Sequence, residues 1–297
     1  MSRPSIYAMT ILTIILSQQL SVAQNAQPSD APPQAKPTKN YLDAWRDCTL
    51  SFGMIERDQF GTNYYKAIGT GVVFALSKRA GYGYVITAKH VFYDPAKNYH
   101  PNEIRIRYSF QQNESVYKEF GIPVPLRSAD GTDLWMPLDE NTDLAALRVN
   151  ALVYNQPAAN ASWLATPDEI TEGEGILVLG FPGIVGNQYL IRPICRGGIV
   201  AWIDPNAPEM HRFLIDGNIY PGNSGGPVIR VPRVLDPDSK ASLIGIVVEA
   251  PGQFGDIEVN VPGLRTPLKL HQEIPVGGTG IVEPVGKVKA LLSKLPQ

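Results

Sequence analysis

Apolar residues along this chain come in short runs broken every few positions by Gly, Pro, Asn or Asp. Runs at 49–55, 65–76, 82–87, 103–108 and 144–149 read as the strands of one antiparallel set. An Ala/Asn/Pro-containing link at 154–168 precedes a second set at 175–181, 190–203, 212–215, 227–231 and 243–248. The pattern predicts an all-β chain of two similar modules. The end differs: Val285, Val288, Leu291, Leu292 and Leu295 recur at the spacing of one helix face, with Pro284 suited to the first turn, and predict a closing helix over 285–295.

The start departs from the strand pattern too. Arg3 precedes a short apolar core from Ile6 to Leu16, then the small residues of Ser21-Val22-Ala23. This core falls short of the ~20 residues that span a bilayer, so residues 1–23 read as a signal peptide cut after Ala23 rather than as an anchor. Residues 24–40 are rich in Pro, Ala and Gln and too poor in apolar side chains to pack, which predicts a disordered linker. The mature domain is expected over 41–297, exported to periplasm or medium, with no membrane contact after cleavage.

Composition narrows the function. In 297 residues, 44% apolar content supports a sizeable core, and 27 Gly with 26 Pro suits a turn-rich β fold. A net charge of −2 argues against a nucleic-acid surface. No zinc-ligand spacing occurs, and Gly69-Thr70-Gly71 alone is too weak for a phosphate loop, so neither metal nor cofactor is expected. Cys48 and Cys195 are the only cysteines and fit either a disulfide or two buried free thiols.

Candidate chemistry centres on Gly222-Asn223-Ser224-Gly225-Gly226-Pro227-Val228, whose residue types suit a serine nucleophile on a glycine-supported turn. Serine alone is a weak nucleophile and needs a base, an orienting acid and an oxyanion pocket. His90 follows the strand-like run 82–87, and an imidazole is the side chain best suited to proton transfer near neutral pH. Asp143 opens the apolar run Leu144 to Val149, where its carboxylate can orient an imidazole. His100, His211 and His271 lack such surroundings and read as surface or core histidines; Asp130, Asp133 and Asp139 read as turn residues.

His90, Asp143 and Ser224 stand in the chain order His, Asp, Ser. With GTGVVF upstream, the motifs TAKHV, DLAALRV and GNSGGPV resemble the trypsin-like serine protease superfamily, nearest to bacterial high-temperature-requirement-like peptidases, over roughly 42–295. The resemblance implies two six-stranded antiparallel β-barrels, the first over about 41–152 and the second over about 165–283. A cleft between them would hold a polypeptide substrate. It implies Ser224 as nucleophile, His90 as base, Asp143 as orienting acid, and the Gly222 and Ser224 amides as oxyanion donors. Asn218 would lie at the base of the primary pocket, with Val248 and Ala250 on the strand that pairs with substrate. That set suits a small or medium uncharged residue before the cut, unless loop differences have moved the pocket. Cys48 and Cys195 match the placing of a bridge in trypsin, which implies a disulfide.

Departures from the family pattern also matter. Asn223 replaces the aspartate that digestive members pair with a new N-terminus, so activation by that route is not expected. The chain ends soon after the closing helix, without room for the C-terminal peptide-binding domain of many bacterial relatives. Two other readings stay open on the sequence. One is a catalytically silent peptide-binding protein on the same fold. The other is an enzyme kept latent until a loop orders, since 94–141 forms an apparent insertion.

Overall fold

The computed structural model describes residues 40–297 except 76–81, 114–115, 151–157, 167–168, 184–189, 191, 208–209, 234–238, 251, 260–267, 276–277 and 297. The expected signal peptide and nearly all of the linker lie outside the described residues. Helix α1 (Tyr41–Asp47) leads in, capped by Asn40 Oδ1, which accepts the Asp43 N–H at 2.9 Å. It buries Trp45, which meets Trp163 edge to face.

Seven strands follow: β1 (Thr49–Arg57), β2 (Asn63–Phe74), β3 (Gly83–Thr87), β4 (Glu103–Asn113), β5 (Val116–Pro125), β6 (Trp135–Pro137) and β7 (Ala145–Val149). They form one antiparallel sheet in the order β5-β4-β1-β2-β3-β7-β6. The second set comprises β8 (Gly175–Gly180), β9 (Ile194–Trp202), β10 (Phe213–Asp216), β11 (Pro227–Arg230), β12 (Leu243–Glu249), β13 (Gly252–Val259), β14 (Leu268–Pro275) and β15 (Thr279–Pro284). Six of these close into a barrel, β10-β15-β12-β11-β8-β9, and β13 with β14 forms a separate hairpin.

The expected pair of six-stranded barrels therefore needs one correction: only the second set closes. The apparent insertion 94–141 supplies β4, β5 and β6, and the β4–β5 hairpin lengthens one edge of the first sheet. Its two edges meet through an isolated bridge between Arg127 and Asp133 and a 2.8 Å bond from the Leu134 N–H to the Leu126 carbonyl. A tight turn, with the Ser128 N–H on the Thr132 carbonyl, brings those edges together without a continuous ladder.

β3 is buried along its whole length between β2 and β7, as its unbroken apolar run requires. Val200, Phe213, Ile215, Val228, Val247 and Val282 fill the closed barrel. Helix α2 (Val285–Lys294) turns Val288, Leu291 and Leu292 into a core that also holds Phe74 of β2 and Ile246 of β12, so it packs across both modules. Lys294 Nζ adds a 2.7 Å bond to the Leu138 carbonyl. Among the described residues no helix is long and apolar enough to cross a membrane.

The expected disulfide is not formed: Cys48 and Cys195 are free thiols. Cys48 is fully buried at the end of α1 and directs its sulfur to the Ala44 and Trp45 carbonyls at 3.2 and 3.4 Å. Burial pushes its pKa up to about 12.

Candidate active site

β3 ends at Thr87, and the chain turns through a single 3-10 turn, Lys89–Val91, that carries His90. β7 begins at Ala145, which pairs with Thr87, so the residues just outside this pair of strand ends face one another. That register brings Asp143 to His90. Asp143 Oδ2 lies 2.7 Å from His90 Nδ1, and its Oδ1 accepts the His90 main-chain N–H at 2.9 Å. Both carboxylate oxygens are committed to one residue, fixing the ring's position as well as its tautomer. Asp139 builds the approach: its Oδ1 accepts the N–H groups of Asn141 and Thr142 at 2.9 and 2.7 Å. Partial burial opposes ionisation there, but these bonds and the Thr142 hydroxyl hold its carboxyl below the usual range.

Among the described residues two further His–Asp pairs occur: His100 with Asp133 at 2.9 Å and His211 with Asp204 at 2.7 Å. Distance does not separate them from His90–Asp143. Surroundings do, because His90 and Asp143 share a cleft with Ser224. That cleft, about 660 Å³, is lined by His90, Asp143, Gly222, Ser224, Val248 and Ala250 among others. Among the described residues no hydrogen bond joins Ser224 Oγ to His90 directly; in free enzymes such bonds are often long and tighten on substrate.

The serine turn is set by its backbone. Asn223 donates its N–H to the Tyr220 carbonyl at 3.0 Å, with Pro221 second in the turn and Gly222 third at φ +92°. This is a type II turn, whose third position wants glycine. A Cβ on Gly222 would also stand 2.5 Å from the Phe181 carbonyl oxygen. The Pro221 carbonyl accepts the Gly183 N–H at 2.7 Å, so the Gly222 N–H, across the trans peptide, points the other way. The N–H groups of Asn223, Gly225 and Gly226 are each spent on carbonyls. Those of Gly222 and Ser224 have no backbone acceptor among the described residues, and both residues line the cleft.

Thr70, on β2 of the first sheet, holds this turn. Its N–H donates to the Ser224 carbonyl at 2.7 Å, its hydroxyl donates to the Gly222 carbonyl at 2.7 Å, and that hydroxyl accepts the Phe181 N–H at 3.0 Å. The sequence marked Thr70 only as part of Gly69-Thr70-Gly71 and of GTGVVF, with no role. Asn218 is exposed and does not line the cleft; buried Ile219 does, beside Tyr220. Asn223 is buried beneath the turn.

The family model of the trypsin-like peptidase domain matches residues 69–232, more than half of the chain. The chain belongs to the trypsin-like peptidase family. Solved structures similar to this member of the family include the HtrA-type protease AlgW with a decapeptide, at 17% identity, covering 86% of this chain and 67% of that one with a TM-score of 0.46. A serine-to-alanine variant of AlgW with a tripeptide is 17% identical, with 86% and 63% covered and a TM-score of 0.44. Comparison with curated proteins finds no match. The assignment to this family agrees with the resemblance carried by TAKHV, DLAALRV and GNSGGPV.

Proposed function

We propose that the protein is an exported serine endopeptidase in which Ser224, His90 and Asp143 hydrolyse peptide bonds through an acyl-enzyme. The observation that carries this reading is one cleft holding a doubly bonded His90–Asp143 pair, Ser224, and two amides with no backbone acceptor among the described residues. Ser224 Oγ attacks the scissile carbonyl carbon as its proton passes to His90 Nε2. The carbonyl oxygen takes the displaced electron pair and sits on the Gly222 and Ser224 N–H groups. Asp143 stabilises the imidazolium. The C–N bond then breaks, the leaving amine takes the proton from His90, and water cleaves the acyl ester by the same route in reverse.

Substrate backbone would pair with the end of β12 near Val248 and Ala250, past its ladder with β11. Ile219 and Ala250 offer an apolar wall, which favours a small or medium uncharged residue before the cut. Export rests on the leader at 1–23, and N-terminal sequencing of the mature protein is expected to begin at Gln24.

The decisive experiment is reaction with a fluorophosphonate, in which a Ser224 Oγ–P bond forms as fluoride leaves. Wild type is expected to be labelled and Ser224→Ala to be unreactive. A folded wild-type chain that binds extended peptides but neither labels nor cleaves them would favour the silent binding protein instead.

A further inference from the structure

Glu283 carries a carboxylate that the hydrolytic steps do not use. It interrupts the apolar run of β15, and its side chain is 0% exposed. An ionised carboxylate in such a place is costly unless its oxygens are paired. Oε1 accepts from Arg212 Nε at 2.7 Å and Oε2 from Lys287 Nζ at 2.8 Å, two cations that balance the charge. A third donor is unrelated to that balance: the main-chain N–H of Asp143 reaches Oε1 at 3.2 Å.

The segment before β7 shows why this bond matters. Asp139 takes the N–H groups of Asn141 and Thr142, so these are satisfied within the segment itself. The Asp143 N–H alone of the three is aimed out of the first sheet, onto the closed barrel. On its other side the Asp143 carbonyl accepts the Lys89 N–H at 3.3 Å. With both main-chain groups held, the direction of the Asp143 side chain toward His90 is set.

We propose that Glu283 is a positioning residue of the active site, holding Asp143 from the second module so that its carboxylate meets both His90 nitrogens that it binds. The proposal rests on the peptidase reading for its kinetic consequence, and on geometry alone for its effect on His90. An apolar side chain would fill the same strand position without the desolvation cost. The acidic residue is therefore explained by what it holds.

The test compares wild type, Glu283→Met, which keeps length but accepts nothing, and Glu283→Gln, which keeps an oxygen acceptor without the charge. Arg212 and Lys287 are 40% and 19% exposed and can turn to water in either variant. Glu283→Met is expected to lower kcat on a cleaved peptide and the fluorophosphonate labelling rate by about tenfold or more, since a displacement of about 1 Å costs up to ~100-fold. KM should stay unchanged, and the downfield proton resonance of His90 Nδ1–H should shift or broaden. Glu283→Gln should recover most of both. A folded Glu283→Met chain with wild-type labelling and an unchanged His90 resonance overturns the proposal, as does a Gln variant no better than Met. If Glu283→Met does not fold, Glu283→Asp, with its arm one methylene shorter, carries the same measurements. A wild-type chain inert to the probe would defeat the peptidase reading, while the His90 resonance would still decide the role of Glu283.

Discussion

In the first module the candidate groups, His90 and Asp143, are held by side-chain bonds and strand register, whereas in the second Ser224 and the two amides beside it are held by a turn. His90 and Asp143 sit just beyond paired strand ends, Thr87 and Ala145, and lock each other by two bonds. Ser224 and the Gly222 amide depend on a type II turn in which nearly every carbonyl is spoken for. The modules then exchange supports: Thr70 of the open sheet holds the serine turn, and Glu283 of the closed barrel holds Asp143. A site divided between two modules keeps its geometry only if each fixes the other, so damage to either support should read out in the opposite module.

The largest expected effect breaks the side-chain half. Asp143→Asn keeps the shape but offers an amide where His90 needs an acceptor, favouring the wrong imidazole tautomer. Loss of kcat should approach ~10⁴-fold with little change in KM. A loss below tenfold in steady-state assays would mean that the pair orients nothing. Breaking the main-chain half should cost less. Gly222→Ala forces a Cβ to within 2.5 Å of the Phe181 oxygen at a φ of +92°, and should disturb the turn and misplace one oxyanion donor. The expected loss is ~10²- to 10³-fold in kcat. His90 should keep its Asp143-bonded proton resonance, and its disappearance in a folded variant would contradict the division between halves.

Exchange between modules is probed by Thr70→Val, which keeps the side-chain volume and loses the hydroxyl. The Gly222 carbonyl and Phe181 N–H would be left buried and unpaired, at a cost of about 1–3 kcal/mol each. Urea unfolding should show that loss, and the labelling rate of Ser224 should fall although Thr70 lies on the opposite module. Thr70→Ser should restore the labelling rate. Equal labelling of Val and wild-type chains would show that the turn is self-sufficient.

How much of this was legible in sequence follows the same division. Strands whose apolar runs are built from β-branched residues, such as β3, β11 and β12, stand out because burial alone places them. β5 did not, since Lys118, Glu119 and two prolines break its run, and it exists through its ladder with β4. Helix α1 is too short to show a period; its Asn40 cap falls within the stretch read as linker. His90, Asp143 and Ser224 lie in motifs whose surroundings are local. Thr70 and Glu283 act across 152 and 140 residues of sequence, on main-chain atoms of other residues, and no local pattern encodes a main-chain partner. A charged residue within an apolar strand, as in Ile281-Val282-Glu283, was the one visible sign.

The smallest expected effect comes from a buried thiol of the first module. Cys48 leads into β1 and Cys195 lies on β9, and both are free here. Burial raises the Cys48 pKa from an ordinary 9.0 to about 12, so as pH climbs the unfolded thiol gives up its proton before the folded one. The unfolded state then binds fewer protons, and folding is progressively disfavoured. This group's contribution is fully present below about pH 9 and lost as pH rises toward about 12, at up to about 1.4 kcal/mol per pH unit. Urea unfolding of wild type and Cys48→Ala at several alkaline pH values isolates the slope, since every other titrating group is common to both chains. The wild-type curve should fall more steeply. Parallel curves would mean that the Cys48 thiol is no harder to ionise in the folded chain than in the unfolded one.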